Sequence, residues 1–232
     1  MRKRKPNNNY FKGLSKKDYI RKTQEIIQTE GREAASIRRI AKEMGCSSTS
    51  LYRYFENQEE LIYYAELNQL SGYIKRLNEA EKKWKNVWDY YVGIWDCYCR
   101  EAFRNPEVFY LLFLRPEISG MDVSITEYYE MFPEDVEKTS ESFLSMLKQK
   151  DFMARDLEAC KKCVEAGAIT PENGERLNRM ACLLYEGYLM VIRDSCFTET
   201  QIHQKIHQFI GDLDWIVMSL ATDLKGYQGY GA

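Results

Sequence analysis

Apolar residues recur every three or four positions along almost the whole chain, and no segment alternates strictly between apolar and polar. That period is helical, so the pattern predicts an all-α protein. Ser15, with Asp18 three residues on, reads as a helix start, and Ile20, Thr23 and Ile27 give that helix an inner face before Gly31 stops it. A second helix is expected from Ser36 to Met44, ended by Gly45, and a third from Ser47 through Leu51 and Phe55. Asn57 and Glu60 make an N-cap pair for a fourth, drawn to about Glu81. Beyond it the pattern predicts helices over 84–104, 107–114, 125–149 with a break at Pro133, 151–165, 171–195 and 198–224. Residues 115–122 read as a loop, and the glycines after 225 predict a flexible tail.

The segment 36–55 has the makings of a helix-turn-helix. Two helices that cross closely need a small residue at the crossing, which Ala41 supplies, and a left-handed residue in the turn, which Gly45 supplies. Ile37, Ile40, Met44 and Cys46 on one side and Leu51 and Phe55 on the other supply the packing. Ser47 is a natural N-cap, and Ser48, Thr49, Ser50, Tyr52 and Arg53 then project outward, side chains suited to phosphates and base edges. The bland alternative is a hairpin in an ordinary helical bundle. The charge distribution argues against it. Residues 1–55 hold 14 Lys and Arg against 5 Asp and Glu, whereas the rest of the chain holds 19 against 30. A basic front on an acidic body fits a polyanion-binding head.

Ile40-Ala41-x-x-x-Gly45-Cys46-Ser47-x-x-x-Leu51-Tyr52-x-Tyr54-Phe55-x-Asn57-x-Glu59-Glu60-Leu61 resembles the DNA-binding head of the TetR family of transcriptional regulators. The resemblance implies an all-helical dimer with a three-helix DNA-reading head and a larger helical body that binds a small molecule and dimerises. It implies a DNA-backbone contact for Tyr52 and base or phosphate contacts for Ser48, Thr49, Ser50 and Arg53, with Arg38 on the preceding helix in reach of a base. Tyr54 stands where the family often has His or Tyr. Gln58 stands where the family usually has a phosphate-binding Lys, so backbone affinity is expected to lean on Arg38, Arg39, Lys42 and the basic end. The expected organisation is a basic arm over 1–12, the head over 13–73, the body over 74–225 and a tail over 226–232.

In the body, Trp84, Trp88, Tyr91, Trp95 and Tyr98 fall on one helical stripe, which Phe113 and Tyr128 could extend across neighbouring helices. Such rings are ordinary core, or together the wall of an apolar pocket for an aromatic effector. The last two long helices look apolar enough to pair with their copies. Leu183, Leu184, Tyr188, Val191 and Ile192 mark one, and Ile202, Ile206, Phe209, Ile210, Leu213, Ile216, Val217 and Leu220 mark the other.

Seven cysteines, an odd number, suggest free thiols in a reducing cytoplasm, with no secretory signal and no membrane-length apolar run. Cys160-x-x-Cys163 lacks a second pair, and His203 with His207 lacks a third ligand, so neither predicts a metal site. With no phosphate loop, nucleophile elbow or HExxH, the chain is expected to be no enzyme and to need no cofactor. The function expected is a ligand-responsive repressor that binds a palindromic operator. The rival is a helical ligand-binding or redox-responsive protein that binds DNA weakly, a reading that rests on Gln58.

Overall fold

The computed structural model describes residues 13–114, 125–149 and 152–231. The expected arm at 1–12 and the loop at 115–122 lie outside them. Every regular element among the described residues is helical. The chain divides into two compact units, one ending at Asn68 and one beginning at Gln69.

In the first unit, α1 (Lys16–Glu30) opens on the expected capping box, in which Ser15 and Asp18 satisfy each other's backbone groups. Its buried face is Tyr19, Ile20, Thr23 and Ile26, so Ile26 rather than Ile27 faces inward. A short 3₁₀ turn precedes α2 (Ile37–Glu43), which is followed by α3 (Ser48–Leu51) and α4 (Gln58–Glu66). The expected third helix is thus only four residues long. The fourth stops at Glu66, where a 3₁₀ turn over Leu67–Gln69 separates it from α5 (Leu70–Ala80). Ile20, Ile40, Leu51 and Leu61 are fully buried and form the middle of this unit.

In the second unit, α6 (Val87–Ala102) is apolar nearly all round and is buried along most of its length. Asn86 caps it by accepting from the backbone of Trp88 and Asp89. The unit continues with α7 (Pro106–Phe113), α8 (Ile125–Met131), α9 (Glu141–Leu147), α10 (Phe152–Glu165), α11 (Pro171–Arg193) and α12 (Glu199–Leu220). The stretch 125–149 is interrupted at Pro133 as expected, its two helices parted by a 3₁₀ turn at Pro133–Asp135 and an irregular stretch. α10 ends as α2 does, on a left-handed glycine: Gly167 has φ 69°, and Ala168 N–H donates to Cys163 O at 2.9 Å.

The glycine-rich end is not a free tail. Tyr227 is 95% buried, at 5% relative exposure. Its hydroxyl donates to the Asp214 carboxylate on α12, which also accepts from Tyr230 N–H at 3.0 Å. Gly226, Gly229 and Gly231, with φ of 81°, 115° and 83°, give the segment its turns. The Trp88 indole N–H donates to Asp223 O at 2.9 Å, so the end of the chain is strapped to α6 as well as α12.

Candidate functional site

The turn between α2 and α3 is built as the sequence demands. Gly45 takes φ 66°, Cys46 N–H donates to Ala41 O at 2.9 Å, and Gly45 N–H donates to Lys42 O at 3.3 Å. This paired closure satisfies the carbonyls at the end of α2 and fixes the angle at which α3 departs. Tyr19 locks the turn from behind, its hydroxyl 3.8 Å from Cys46 Sγ, and burial beside that thiol pushes the phenol up to about 12. Leu51 and Phe55 anchor α3 from below.

The outer face is left open. Ser47, Thr49, Tyr52, Arg53 and Tyr54 are exposed, and Ser48 and Ser50 are half-exposed. Tyr52 and Tyr54 show 56% and 41% of their surface. Ser47 does not cap α3 with its side chain and instead shares a 3.2 Å hydroxyl contact with Ser50. Tyr54 has an internal role as well, since its ring packs 5.7 Å from Tyr19 and its hydroxyl donates to Leu14 O at 3.2 Å. The side chains of Arg38, Lys42 and Arg53 are exposed and make no ion pair or hydrogen bond among the described residues, which leaves their charge open to an external anion.

Two expected contacts are spoken for within the chain. The Arg39 guanidinium is held by Glu30, at 2.7 and 3.0 Å, and by Glu43, at 2.7 Å. It therefore braces α2 against α1. Gln58 Oε1 accepts from Ile37 N–H at 3.3 Å, so the carboxamide at the start of α4 caps the start of α2. Arg32, on the 3₁₀ turn before α2, clamps that turn to α4, 2.5 Å from the buried Glu66 and 3.2 Å from Glu59. Sequence spacing gives no sign of either clamp, because the partners stand on different elements.

The aromatic stripe of the body is brought together, but around itself. Trp95 and Tyr98 sit among Phe152, Tyr185 and Phe209, with ring centroids of contacting pairs 5.0–6.2 Å apart. Trp88, Tyr91, Tyr98 and Phe113 are buried there or close by. Tyr128 is elsewhere, stacked on Phe132 at 4.7 Å. The cavity bordered by Trp95 and Tyr98 measures about 30 Å³, room for water and not for an organic molecule. Instead of an open apolar pocket, this stripe forms a filled core. Its polar centre is Asp156 of α10, which the sequence reading passed over. Its carboxylate accepts from Trp95 Nε1 (2.8 Å), Asn178 Nδ2 (2.9 Å) and the Tyr91 hydroxyl (3.1 Å). Burial raises it to about 6 despite those three donors.

Trp84 falls before α6 rather than on it. Its indole lies over Gly93, where a Cβ would stand 2.4 Å from the ring. Trp84 also borders a crevice of about 550 Å³ between α5, α6 and the C-terminal strap.

The residues chosen for self-association divide by exposure. Ile192, Ile206, Phe209, Ile210, Leu213, Ile216 and Val217 are buried within the chain and cannot face a partner. The exposed large apolar positions are Met180 (38%), Leu183 (66%) and Val191 (54%) on α11 and Trp215 (69%) and Met218 (40%) on α12. Gly187 and Gly211 lie among them, each with open space where a Cβ would be. Cys160 and Cys163 are both buried, and Cys163 Sγ donates to Val87 O at 3.4 Å. His203 Nε2 lies 3.3 Å from Arg104 Nη2. Among the described residues no cluster of three His, Cys, Asp or Glu side chains could hold a metal. No described helix is long and apolar enough to cross a membrane.

Residues 20–65 match the family model for bacterial regulatory proteins of the tetR family. The first unit of the chain is thus similar to the head of the tetR family. The matched span runs from within α1 almost to the end of α4, so the family pattern and the tetR-type helix-turn-helix geometry coincide. Three solved structures are similar. A tetR family transcription regulator from Shewanella sp. PV-4 is 14% identical with TM-score 0.48, covering 90% of this chain and 100% of that one. BioQ from Mycobacterium smegmatis is 14% identical with TM-score 0.42, covering 89% and 97%. A TetR family transcription regulator from Marinobacter aquaeolei VT8 is 18% identical with TM-score 0.36, covering 89% and 95%. No curated protein matches the chain.

Proposed function

We propose that this tetR-family regulator acts as a homodimeric repressor that reads a palindromic operator and releases it when a small molecule binds the body. The observation that carries the reading is the open face of the helix-turn-helix. The side chains of Arg38, Lys42 and Arg53 have no partner among the described residues, and Thr49 and Tyr52 stand exposed beside them. Unpaired cations and hydroxyls on a rigid turn suit phosphates and base edges. Two such heads on a two-fold axis would read half-sites about one DNA turn, roughly 34–36 Å, apart. The exposed stripe of Leu183, Val191, Trp215 and Met218 is the surface on which two copies would meet. Control follows if the ligand binds one arrangement of the dimer better than the other, since only differential affinity can shift the balance.

Selection of bound DNA from a random pool, at two salt concentrations, tests this. The expected result is an enriched palindrome whose affinity falls steeply with salt, as phosphate-anchored binding requires. A pool that stays random at low salt would sink the DNA-reading proposal. The weak-binding rival rests on Gln58, and the bond from Ile37 N–H to its carboxamide gives the uncharged side chain a role inside the head.

A further inference from the structure

Contacts to phosphates position a DNA-binding head without reading the sequence, which falls to the side chains that meet base edges. In a helix-turn-helix those come from the first residues of the second helix. Here that helix, α3, is four residues long, and its last, Leu51, is buried. Three side chains are left to read with. Thr49 is exposed, and Ser48 and Ser50 are half-exposed.

The three differ in what they can discriminate. A serine hydroxyl both donates and accepts and rotates to suit its partner, so it fits any base edge. The Ser50 hydroxyl is also shared with Ser47 at 3.2 Å. The two amides that follow α3 could read adenine, but both are engaged inside the head. Asn57 Oδ1 accepts from Glu60 N–H at 2.9 Å, and Gln58 Oε1 accepts from Ile37 N–H at 3.3 Å. The free cations Arg38, Lys42 and Arg53 suit phosphates and guanine. Of the three reading side chains, only Thr49 carries an apolar group, its γ-methyl. That methyl sits on Cβ, where branching leaves it few rotamers. The apolar group of the major groove is the 5-methyl of thymine. We propose that Thr49 is a specificity-determining residue, which selects thymine at one position of each operator half-site by contact between the two methyl groups. The inference rests on the DNA-reading proposal above and adds to it the base that α3 selects.

Operator DNA selected from the random pool, with uracil replacing thymine at one position at a time, tests the assignment in competition binding. Uracil keeps every hydrogen-bonding group of thymine and lacks only the methyl. One thymine in each half-site should prove sensitive, its replacement weakening binding about fourfold, the worth of one buried methyl. Replacement in both half-sites should cost more than about tenfold. Thr49→Ser keeps the hydroxyl and should bind the thymine and uracil operators equally. Thr49→Val keeps the methyl and should retain the preference. Each changes one exposed side chain. An enriched palindrome with no fixed thymine, indifference to uracil at every position, or a uracil penalty that survives Thr49→Ser would overturn the role of Thr49 and leave DNA reading standing. A pool that stays random overturns both.

Discussion

Two side chains show how far a residue's role departs from its type. Gln58 looks like a lysine that has lost its charge, but its oxygen closes the first turn of α2. A Gln58→Lys variant should gain a phosphate contact, steepening the salt dependence of DNA binding by about one unit. It should also lose the cap, lowering stability by roughly 1 kcal/mol in denaturant unfolding. Asp156 illustrates burial against charge. Its folded value, about 6, lies above the free carboxylate's 3.8, so protonation favours the fold. The resulting stability is fully present below about pH 4 and is lost as pH rises through 6. Relative to Asp156→Asn, which cannot titrate there, the natural chain should therefore lose about 3 kcal/mol between pH 4 and 7. Denaturant melts of both chains across that range measure it, and a pH-independent difference would refute it. Ala41, Gly45 and Leu51 were readable because a helix-turn-helix needs those types at those intervals. Gln58 and Asp156 were not, because each is defined by partners 21 to 65 residues away.

At the scale of elements, the period of apolar residues located the helices but missed one of their breaks. The break at Pro133 is announced by the proline, whereas the division of the fourth expected helix at Leu67–Gln69 is not. That break is a 3₁₀ turn, which leaves the apolar spacing almost unchanged and so hides within it. Periodicity found the aromatic face of α6 correctly, but a face does not say what fills the space opposite. Here rings from α10, α11 and α12 fill it. Gly93 is the exception on that helix, because the indole of Trp84 occupies the place of its side chain. Gly93→Ala should expel the ring and cost about 1–3 kcal/mol, in spite of alanine's better helix propensity. A changed near-ultraviolet circular dichroism band would accompany the loss. A neutral or stabilising outcome would show that the indole has another resting place.

For the whole molecule, the same period cannot distinguish helix faces buried inside one chain from those buried between two. The α12 residues Ile206, Phe209 and Leu213 serve the first purpose. In the proposed dimer Trp215 and Leu183 serve the second, and Trp215→Glu should then shift dimer to monomer in sedimentation while leaving the melting of the monomer within about 0.5 kcal/mol. Gly211→Ala gives an independent reading. Within one chain it meets nothing within 4 Å, so the alanine should stabilise a monomer. Any loss of dimer affinity then reports a partner helix at that spot. The strap was the feature least visible in the sequence, since its glycines signal irregularity but not the partner on which they close.

That strap also has a kinetic consequence. The Trp88–Asp223 hydrogen bond joins residues 135 positions apart. A loop of that length must close before the contact gives anything back, so the bond belongs late on the folding route. Substitutions in the strap should accordingly quicken unfolding and leave the refolding rate nearly unchanged. The last few residues of the chain then act less as an end than as the latch that determines how long the finished body stays closed.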